Sequence, residues 1–374
     1  MARERKGLFG YYRQFEGLSE DEVNADLRQA AAERRAKELA RLEPLDLSCT
    51  TWPEYPPPAI VNAITFAARR GLHRYLDRSS GELRSELAHR HGVPDGRLVV
   101  GDGVAQLISE AAAALLQPDD ELVTPWPSYP LFPVVARHAR GHAVPVSGFS
   151  IDAVLEAIND RTRLVALCNP NDPTGELLSL DALARLLEAL PERVVVLLDE
   201  ALRDYADAEP LDATLALLER FPRLLVFRTF SKAWGLAGLR CGYAIGGPGA
   251  EPLLEQLAPE LGVNELAQAG ALEAIRTQTG LLERRRALIA AHRARLTEAL
   301  RERGVDLPTS QANVLWLPAP GPHGATDLAT RLHRSGIAVA PGTGVGVPDR
   351  VRVTVPHRGG DVDRLLRSLD AVSG

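Results

Sequence analysis

The feature that most constrains this chain is a regular alternation of short β-branched apolar runs with helical patterns. The runs fall at residues 97–100, 121–124, 142–146, 163–168, 194–198, 224–228 and 242–245, and helical patterns such as 106–116, 131–140, 180–190 and 213–220 fill most of the gaps. A strand that passes through a helix before the next strand pairs in parallel, so the alternation predicts a mostly parallel sheet covered on both faces. Towards the C-terminus the rhythm changes. A long helix (about 281–303), a strand (312–317), a helix (325–335), a short strand (337–340), a strand (350–355) and a final helix predict a separate small α+β unit, with the Pro/Gly-rich stretch 341–348 as a loop within it. At the other end, residues 19–41 read as one charged, Ala-rich helix with few apolar positions, a solvated arm or a segment wrapping another subunit. The run Thr51-Trp-Pro-Glu-Tyr-Pro-Pro-Pro that follows is a hinge, because it cannot continue a helix.

Composition matters where it excludes. With 45% apolar and 25% charged residues, the 374-residue chain can bury a sizeable core, so general disorder is excluded. A net charge of −6 leaves no basic footprint for nucleic acid. The longest apolar runs, such as 194–198, are too short to span a bilayer, and the charged N-terminus lacks the apolar stretch of a secretion signal. Cys49, Cys168 and Cys241 are scattered without metal-ligand spacing, which suits a reducing cytoplasm. The pairs His89/His91 and His138/His142 have no acid or cysteine nearby to complete a metal site, so no metal is expected.

One compositional detail is sharper. Only three of the 43 basic residues are lysine, namely Lys6, Lys37 and Lys232. Arginine supplies the surface charge but cannot form a Schiff base, so an isolated interior lysine needs its own explanation. Lys6 and Lys37 lie among charges near the N-terminus; Lys232 does not.

In open α/β sheets ligands bind beyond the carboxyl ends of the strands, so the residues following each run are the place to search. Run 163–168 is followed by Asn169-Pro-Asn-Asp-Pro-Thr-Gly175, run 194–198 by Asp199-Glu200, and run 224–228 by a loop holding Ser231, Lys232 and Arg240. Gly101-Asp-Gly-Val-Ala105 opens a helix and offers free backbone N–H groups to a phosphate. A carboxylate, an amine, a guanidinium and a glycine-flanked helix start are the set that pyridoxal phosphate requires. The amine holds its aldehyde, the acid keeps its pyridine nitrogen protonated, and the cation and amides neutralise its phosphate.

Ser231-Lys232 with Arg240, Asp199-Glu200-Ala201 and residues 169–175 resemble the class I/II aminotransferases of fold type I. The closest likeness is to the histidinol-phosphate aminotransferase branch, through Arg-Thr-Phe-Ser-Lys-Ala at residues 228–233, and it covers about residue 47 to the C-terminus. The resemblance implies a seven-stranded, mostly parallel sheet sandwiched by helices, plus a smaller α+β domain. The expected division is an N-terminal helical arm (1–45), a large cofactor domain (46–275) and a small C-terminal domain (276–374) joined by part of the N-terminal segment. It further implies that Lys232 forms the Schiff base and shuttles a proton, and that Asp199 faces the pyridine nitrogen. Ser231, Arg240 and the backbone of Gly103, Val104 and Ala105 would hold the phosphate, and Tyr129 would stack on the ring. Tyr75 would reach the phosphate from a neighbouring subunit, which implies a homodimer with shared active sites, and Arg352 would clamp the substrate carboxylate.

Three positions depart from that family's pattern. Asp172 replaces the asparagine that would touch both the cofactor's phenolic oxygen and the substrate, Leu202 replaces a tyrosine, and Ala340 stands where the phosphate-substrate branch has arginine. An ionised Asp172 would repel a phenolate and favour the protonated Schiff base, unless Tyr205 or water substitutes. Ala340 weakens the case for a phosphorylated substrate. The function expected is amino-group transfer between an L-amino acid (or an amine like histidinol phosphate) and a 2-oxo acid. The alternative on the same scaffold is a decarboxylase or other lyase. A nicotinamide-type oxidoreductase is disfavoured because Gly101-Asp-Gly103 lacks the third glycine of the dinucleotide fingerprint. A cofactor-binding protein that has lost catalysis is disfavoured by the retained Lys232 and Arg352.

Overall fold

In the computed structural model, residues 25, 27–29, 43–321 and 323–373 are described. Most of the arm expected over residues 1–45 therefore lies outside the described residues, including Lys6 and Lys37.

The short strand β1 (Leu45–Asp46) is followed by helices α1 (Pro58–Gly71) and α2 (Gly81–His91). The alternating region then runs β2 (Leu98–Gly101), α3 (Val104–Leu115), β3 (Glu121–Trp126), α4 (Leu131–His138), β4 (His142–Ser147), α5 (Ile151–Glu156), β5 (Thr162–Cys168), α6 (Leu180–Ala189), β6 (Val195–Asp199), β7 (Leu224–Thr229) and β8 (Gly242–Gly246). These seven strands, β2 to β8, form one sheet in the order β2-β8-β7-β6-β5-β3-β4. Every pairing is parallel except those of β8, which runs antiparallel to β2 and β7. Central strands of a sheet covered on both sides read as apolar runs, and β5 from Leu164 to Cys168 (Leu-Val-Ala-Leu-Cys) and β6 up to Leu198 (Val-Val-Leu-Leu) do so.

The period-two alternation of a strand divides the core between the two faces. Val99, Leu122, Leu164, Ala166, Leu197, Leu225 and Phe227 pack on one side with Leu107, Ile108 and Phe132 of α3 and α4. Val100, Val123, Val165, Leu167, Val196, Leu198 and Val226 pack on the other with Leu183 and Leu186 of α6. Ser179 caps α6 by accepting the Ala182 N–H at 3.2 Å. Residues 213–220, expected as a helix, make only a 3-10 turn at Ala213–Leu217. Thr214 there is spent on a buried carboxylate, which ties the segment to the sheet instead of letting it propagate.

After β8 come α7 (Glu251–Leu257), α8 (Glu265–Thr277) and the 24-residue α9 (Thr279–Glu302). The C-terminal part holds β9 (Val314–Pro318), α10 (Gly324–His333), β10 (Ile337–Ala338), β11 (Ala340–Pro341), β12 (Arg350–Thr354) and α11 (Gly359–Ser373). Strands β11-β12-β9 form an antiparallel sheet, so the single strand expected at 337–340 is split at Val339 between two sheets. β10 pairs instead with β1, in parallel, and Leu47 N–H continues the ladder to the Ala338 carbonyl at 2.8 Å. The segment after β1 is thereby laid along β12, where Thr354 N–H donates to the Leu47 carbonyl (2.9 Å) and Thr354 Oγ1 to the Cys49 carbonyl (3.0 Å).

Candidate active site

The carboxyl ends of β5, β6 and β7 and the start of α3 converge on one pocket. Its lining includes Val104, Ala105, Tyr129, Cys168, Asp172, Asp199, Leu202, Ser231, Lys232 and Arg240. Each side chain arrives for a local reason. Asp199 is the last residue of β6, on the same side of the sheet as Leu197, and only 3% of it is exposed. Its carboxylate accepts the Ala201 N–H at 2.9 Å. Loop 169–175 is folded by its own amides. Asn169 Nδ2 donates to the Leu178 carbonyl (3.1 Å), and Asn171 accepts from Ser128 Oγ (2.7 Å) while donating to the Pro127 carbonyl (3.0 Å). Those last two bonds also hold the neighbouring loop that carries Tyr129.

Arg240 ends the β7–β8 loop in the left-handed conformation (φ 54°) and borders Gly103, the residue before α3 (φ 86°). The positive φ of Gly103 strains any other residue, and a Cβ there would lie 2.8 Å from Arg240 Nη2 and push the guanidinium aside. Backbone N–H groups at the opening turn of α3 and a guanidinium beside them form an anion cradle.

Lys232 points into the pocket and donates from Nζ to Thr50 Oγ1, a residue 182 positions earlier in the chain. Asn313 Nδ2 fixes Thr50 from below through its carbonyl (3.0 Å). Arg352, on β12, donates from Nη1 to Asp172 Oδ1 and from Nη2 to the Ser48 carbonyl, both at 2.6 Å. Asp172 thus joins the pocket to Arg352, and the segment 48–50 seals the join. Burial lowers the Lys232 ammonium, assisted by Arg352 and opposed by Asp172 and Asp199. Burial also pushes the Asp199 carboxyl up to about 7, against the Ala201 N–H and the charge of Lys232. The Tyr129 hydroxyl is pushed up to about 12 by burial and by the nearby carboxylates, so it stays protonated.

Of the residues singled out in the sequence, Lys232, Asp199, Ser231, Arg240, Val104, Ala105, Tyr129 and Asp172 line this pocket, Gly103 borders it, and Arg352 is bonded to one of its walls. Tyr75 does not line it. That side chain is 99% exposed on the loop after α1. Tyr205 does not substitute for the tyrosine missing at Leu202, since it is fully buried elsewhere and its hydroxyl has no partner among the described residues. Ionised Asp172 is not left facing the pocket alone, because Arg352 pairs with it. Sequence reasoning missed Ser48, Thr50, Thr229 and Cys168. Ser48 and Thr50 carry no motif, and only the pairing of β1 with β10 brings them here.

The family described as aminotransferase class I and II matches residues 44–369. The chain belongs to the class I and II aminotransferases. Among these aminotransferases, one annotated relative is the aromatic amino acid aminotransferase of Corynebacterium efficiens, 36% identical over 325 residues, covering 85% of this chain and 90% of the relative. Histidinol-phosphate aminotransferase 1 of Nitrosococcus oceani is 37% identical over 321 residues, covering 85% of each chain. Among solved aminotransferases, the histidinol-phosphate aminotransferase of Sinorhizobium meliloti, in complex with pyridoxal 5′-phosphate, superposes with a TM-score of 0.79 at 25% identity, covering 91% of this chain and 93% of that one. The sequence expectations of fold type I and of amino-group transfer therefore hold, and the decarboxylase alternative finds no support among these relatives. No helix among the described residues is long and apolar enough to cross a membrane.

The residues present fit pyridoxal phosphate. One primary amine, one buried carboxylate on a different strand end, and a cradle that a Cβ at Gly103 would spoil are what its aldehyde, ring nitrogen and phosphate need.

Proposed function

We propose that this aminotransferase moves the amino group of an aromatic L-amino acid to a 2-oxo acid, using pyridoxal phosphate held by the pocket described above. The observation that carries the reading is the convergence of Lys232, Asp199 and Arg240 with the start of α3 in one cavity. In this reading Lys232 holds the cofactor covalently and Asp199 pairs with its ring nitrogen. Arg240, Ser231 and the amides at Gly103–Ala105 hold its phosphate, and Tyr129 covers its ring. When bound, the cofactor supplies a sink for the electron pair left on the substrate Cα.

The chain's own residues do the rest. Burial favours the neutral form of Lys232, and a neutral amine is what can accept the Cα proton at Nζ and return it. Thr50 Oγ1 orients that Nζ by accepting one of its N–H bonds. Arg352 receives the substrate carboxylate. Ala340 lies directly opposite Arg352 in the β11–β12 pairing, so that position supplies no second cation to favour a phosphorylated substrate over a simple amino acid. Curated relatives named for aromatic amino acids support the same choice.

The working form in this reading is a cytoplasmic homodimer. Support for the dimer comes from Phe66 on α1, Leu72, Tyr75 and Leu261, which are 60–99% exposed, and for the cytoplasm from Cys49, Cys168 and Cys241, all of them free thiols. Tyr75 would then complete the partner's phosphate site. The large and small domains proposed here meet at the site, with the N-terminal segment through Thr50 belonging to both.

The test is a donor screen of the full chain loaded with cofactor, scoring oxo-acid formation from each amino acid against 2-oxoglutarate. Phenylalanine, tyrosine and tryptophan are the expected donors, with histidinol phosphate poor. Lys232→Ala is expected to abolish turnover and the adduct that borohydride fixes to the chain. Failure of every donor overturns the reading.

A further inference from the structure

Asp172 stands where a neutral asparagine would be expected, and the structure shows what the added charge does. Its Oδ1 lies 2.6 Å from Arg352 Nη1, and the two side chains are only 13% and 20% exposed. A second Arg352 nitrogen is taken by the Ser48 carbonyl at 2.6 Å, and Nε is buried without a partner among the described residues. The guanidinium proposed above to receive the substrate carboxylate is therefore already paired with a carboxylate of the chain itself. An asparagine carries no charge to neutralise it and would leave the fork a full positive charge.

We infer that Asp172 is a specificity-determining residue: as an internal competitor for Arg352, it weakens the binding of amino and 2-oxo acids while sparing ligands that lack a carboxylate. The inference rests on the reading of Arg352 as the carboxylate subsite. An incoming carboxylate must either displace Asp172 from Nη1 or share the guanidinium with it. Displacement leaves Asp172 among two carboxylates and Lys232. Sharing places two like charges on one cation in a mostly buried setting, where charge repulsion is poorly screened. In either case the cost falls on any ligand with an anion at this position, reactive or not. It is absent for an uncharged ligand of the same shape. The same pairing keeps Arg352 in place and solvated by the chain before a ligand arrives, which an unpaired buried guanidinium would lack.

The test uses the full chain loaded with pyridoxal phosphate and two probes that carry no amine, 3-phenylpropionate and its uncharged isostere 3-phenylpropionamide. Binding is measured by calorimetric titration, so no turnover is needed. Asp172→Asn is expected to tighten 3-phenylpropionate about 10-fold or more, the size of a lost like-charge contact in a poorly solvated site, and to leave the amide within about 2-fold. Asp172→Ser, which also removes the charge but not by isosteric replacement, is expected to move the carboxylate in the same direction. Adding Arg352→Gln to Asp172→Asn is expected to return the carboxylate to the level of the amide. Unchanged carboxylate binding in both Asp172 variants, or equal tightening of the amide, overturns the inference while the Arg352 reading stands if Arg352→Gln alone still weakens the carboxylate. If Arg352→Gln leaves carboxylate binding untouched, the subsite is elsewhere and both fall. Failure of the carboxylate to bind the parent and both Asp172 variants also overturns both.

Discussion

Asp199 and Glu200 are neighbours in sequence and opposites in surroundings. Strand alternation puts Asp199 on the side of the sheet that faces α3 and Glu200 on the other. Glu200 is fully buried and fully answered. Arg228 Nε and Nη2 lie 2.9 and 2.8 Å from its Oε2, and Thr214 Oγ1 donates to Oε1 at 2.7 Å. Arg228 continues to the Leu211 carbonyl (2.9 Å) and to Asp212, whose other partner is His91 at 3.3 Å, and His91 in turn meets the Tyr243 hydroxyl at 2.9 Å. Asp212 is held below the usual carboxylate range because His91 and Arg228 outweigh its burial, and the Arg228 guanidinium is held firmly charged by Glu200, Tyr243 and Asp212 despite burial. Asp199 has none of this: among the described residues it accepts one backbone N–H and no arginine. A carboxylate whose partners are all supplied by the chain is architecture. One that the chain leaves short of a cation is a place for a ligand to supply it.

That contrast can be broken at either carboxylate. The largest effect is expected on the paired side. Arg228→Met strands Glu200 without its cation, and unfolding in urea should show a loss of about 3–5 kcal/mol, most of which returns when Glu200→Leu is added. A small loss for the single variant would mean that the network is not structural. On the other side, Asp199→Asn should lower turnover of aromatic donors by about 10²–10³-fold, about 3–4 kcal/mol in the barrier, while the urea midpoint stays put or rises. A matching loss of stability would erase the distinction between the two carboxylates.

The smallest effect, per unit of pH, sharpens the comparison in the cofactor-free chain. Because the folded Asp199 carboxyl is raised from 3.8 to about 7, the folded state binds its proton more tightly than the unfolded state does. The stability it lends is therefore full below the unfolded value and is lost as pH rises through that window, by at most about 1.4 kcal/mol per pH unit. Replacing Asp199 with asparagine should flatten that slope in pH-dependent urea titrations, and an unchanged slope would place the raised carboxyl elsewhere.

Much of this was legible in the chain. The sheet announced itself because buried parallel strands must be apolar throughout, and the strand ends then pointed to Asp199, Lys232, Arg240 and the start of α3 without any knowledge of packing. What escaped was whatever depends on partners far off in sequence. Ser48 and Thr50 are ordinary polar residues until β1 lies beside β10. The charge of Asp172 was noticed, but its neutralisation by Arg352 is a three-dimensional fact. The helical pattern at 213–220 misled because propensity could not foresee that Thr214 would be recruited by Glu200.

The seam formed by residues 48–50 has a temporal consequence. Thr50 leaves the ribosome early, yet the lysine it orients lies 182 residues later and the arginine that binds the Ser48 carbonyl lies 304 residues later. During synthesis the large sheet can be complete while this strip still waits for β10 and β12 to anchor it, so a truncated product would hold a folded sheet and an unfinished catalytic centre. Competence waits for β10 and β12.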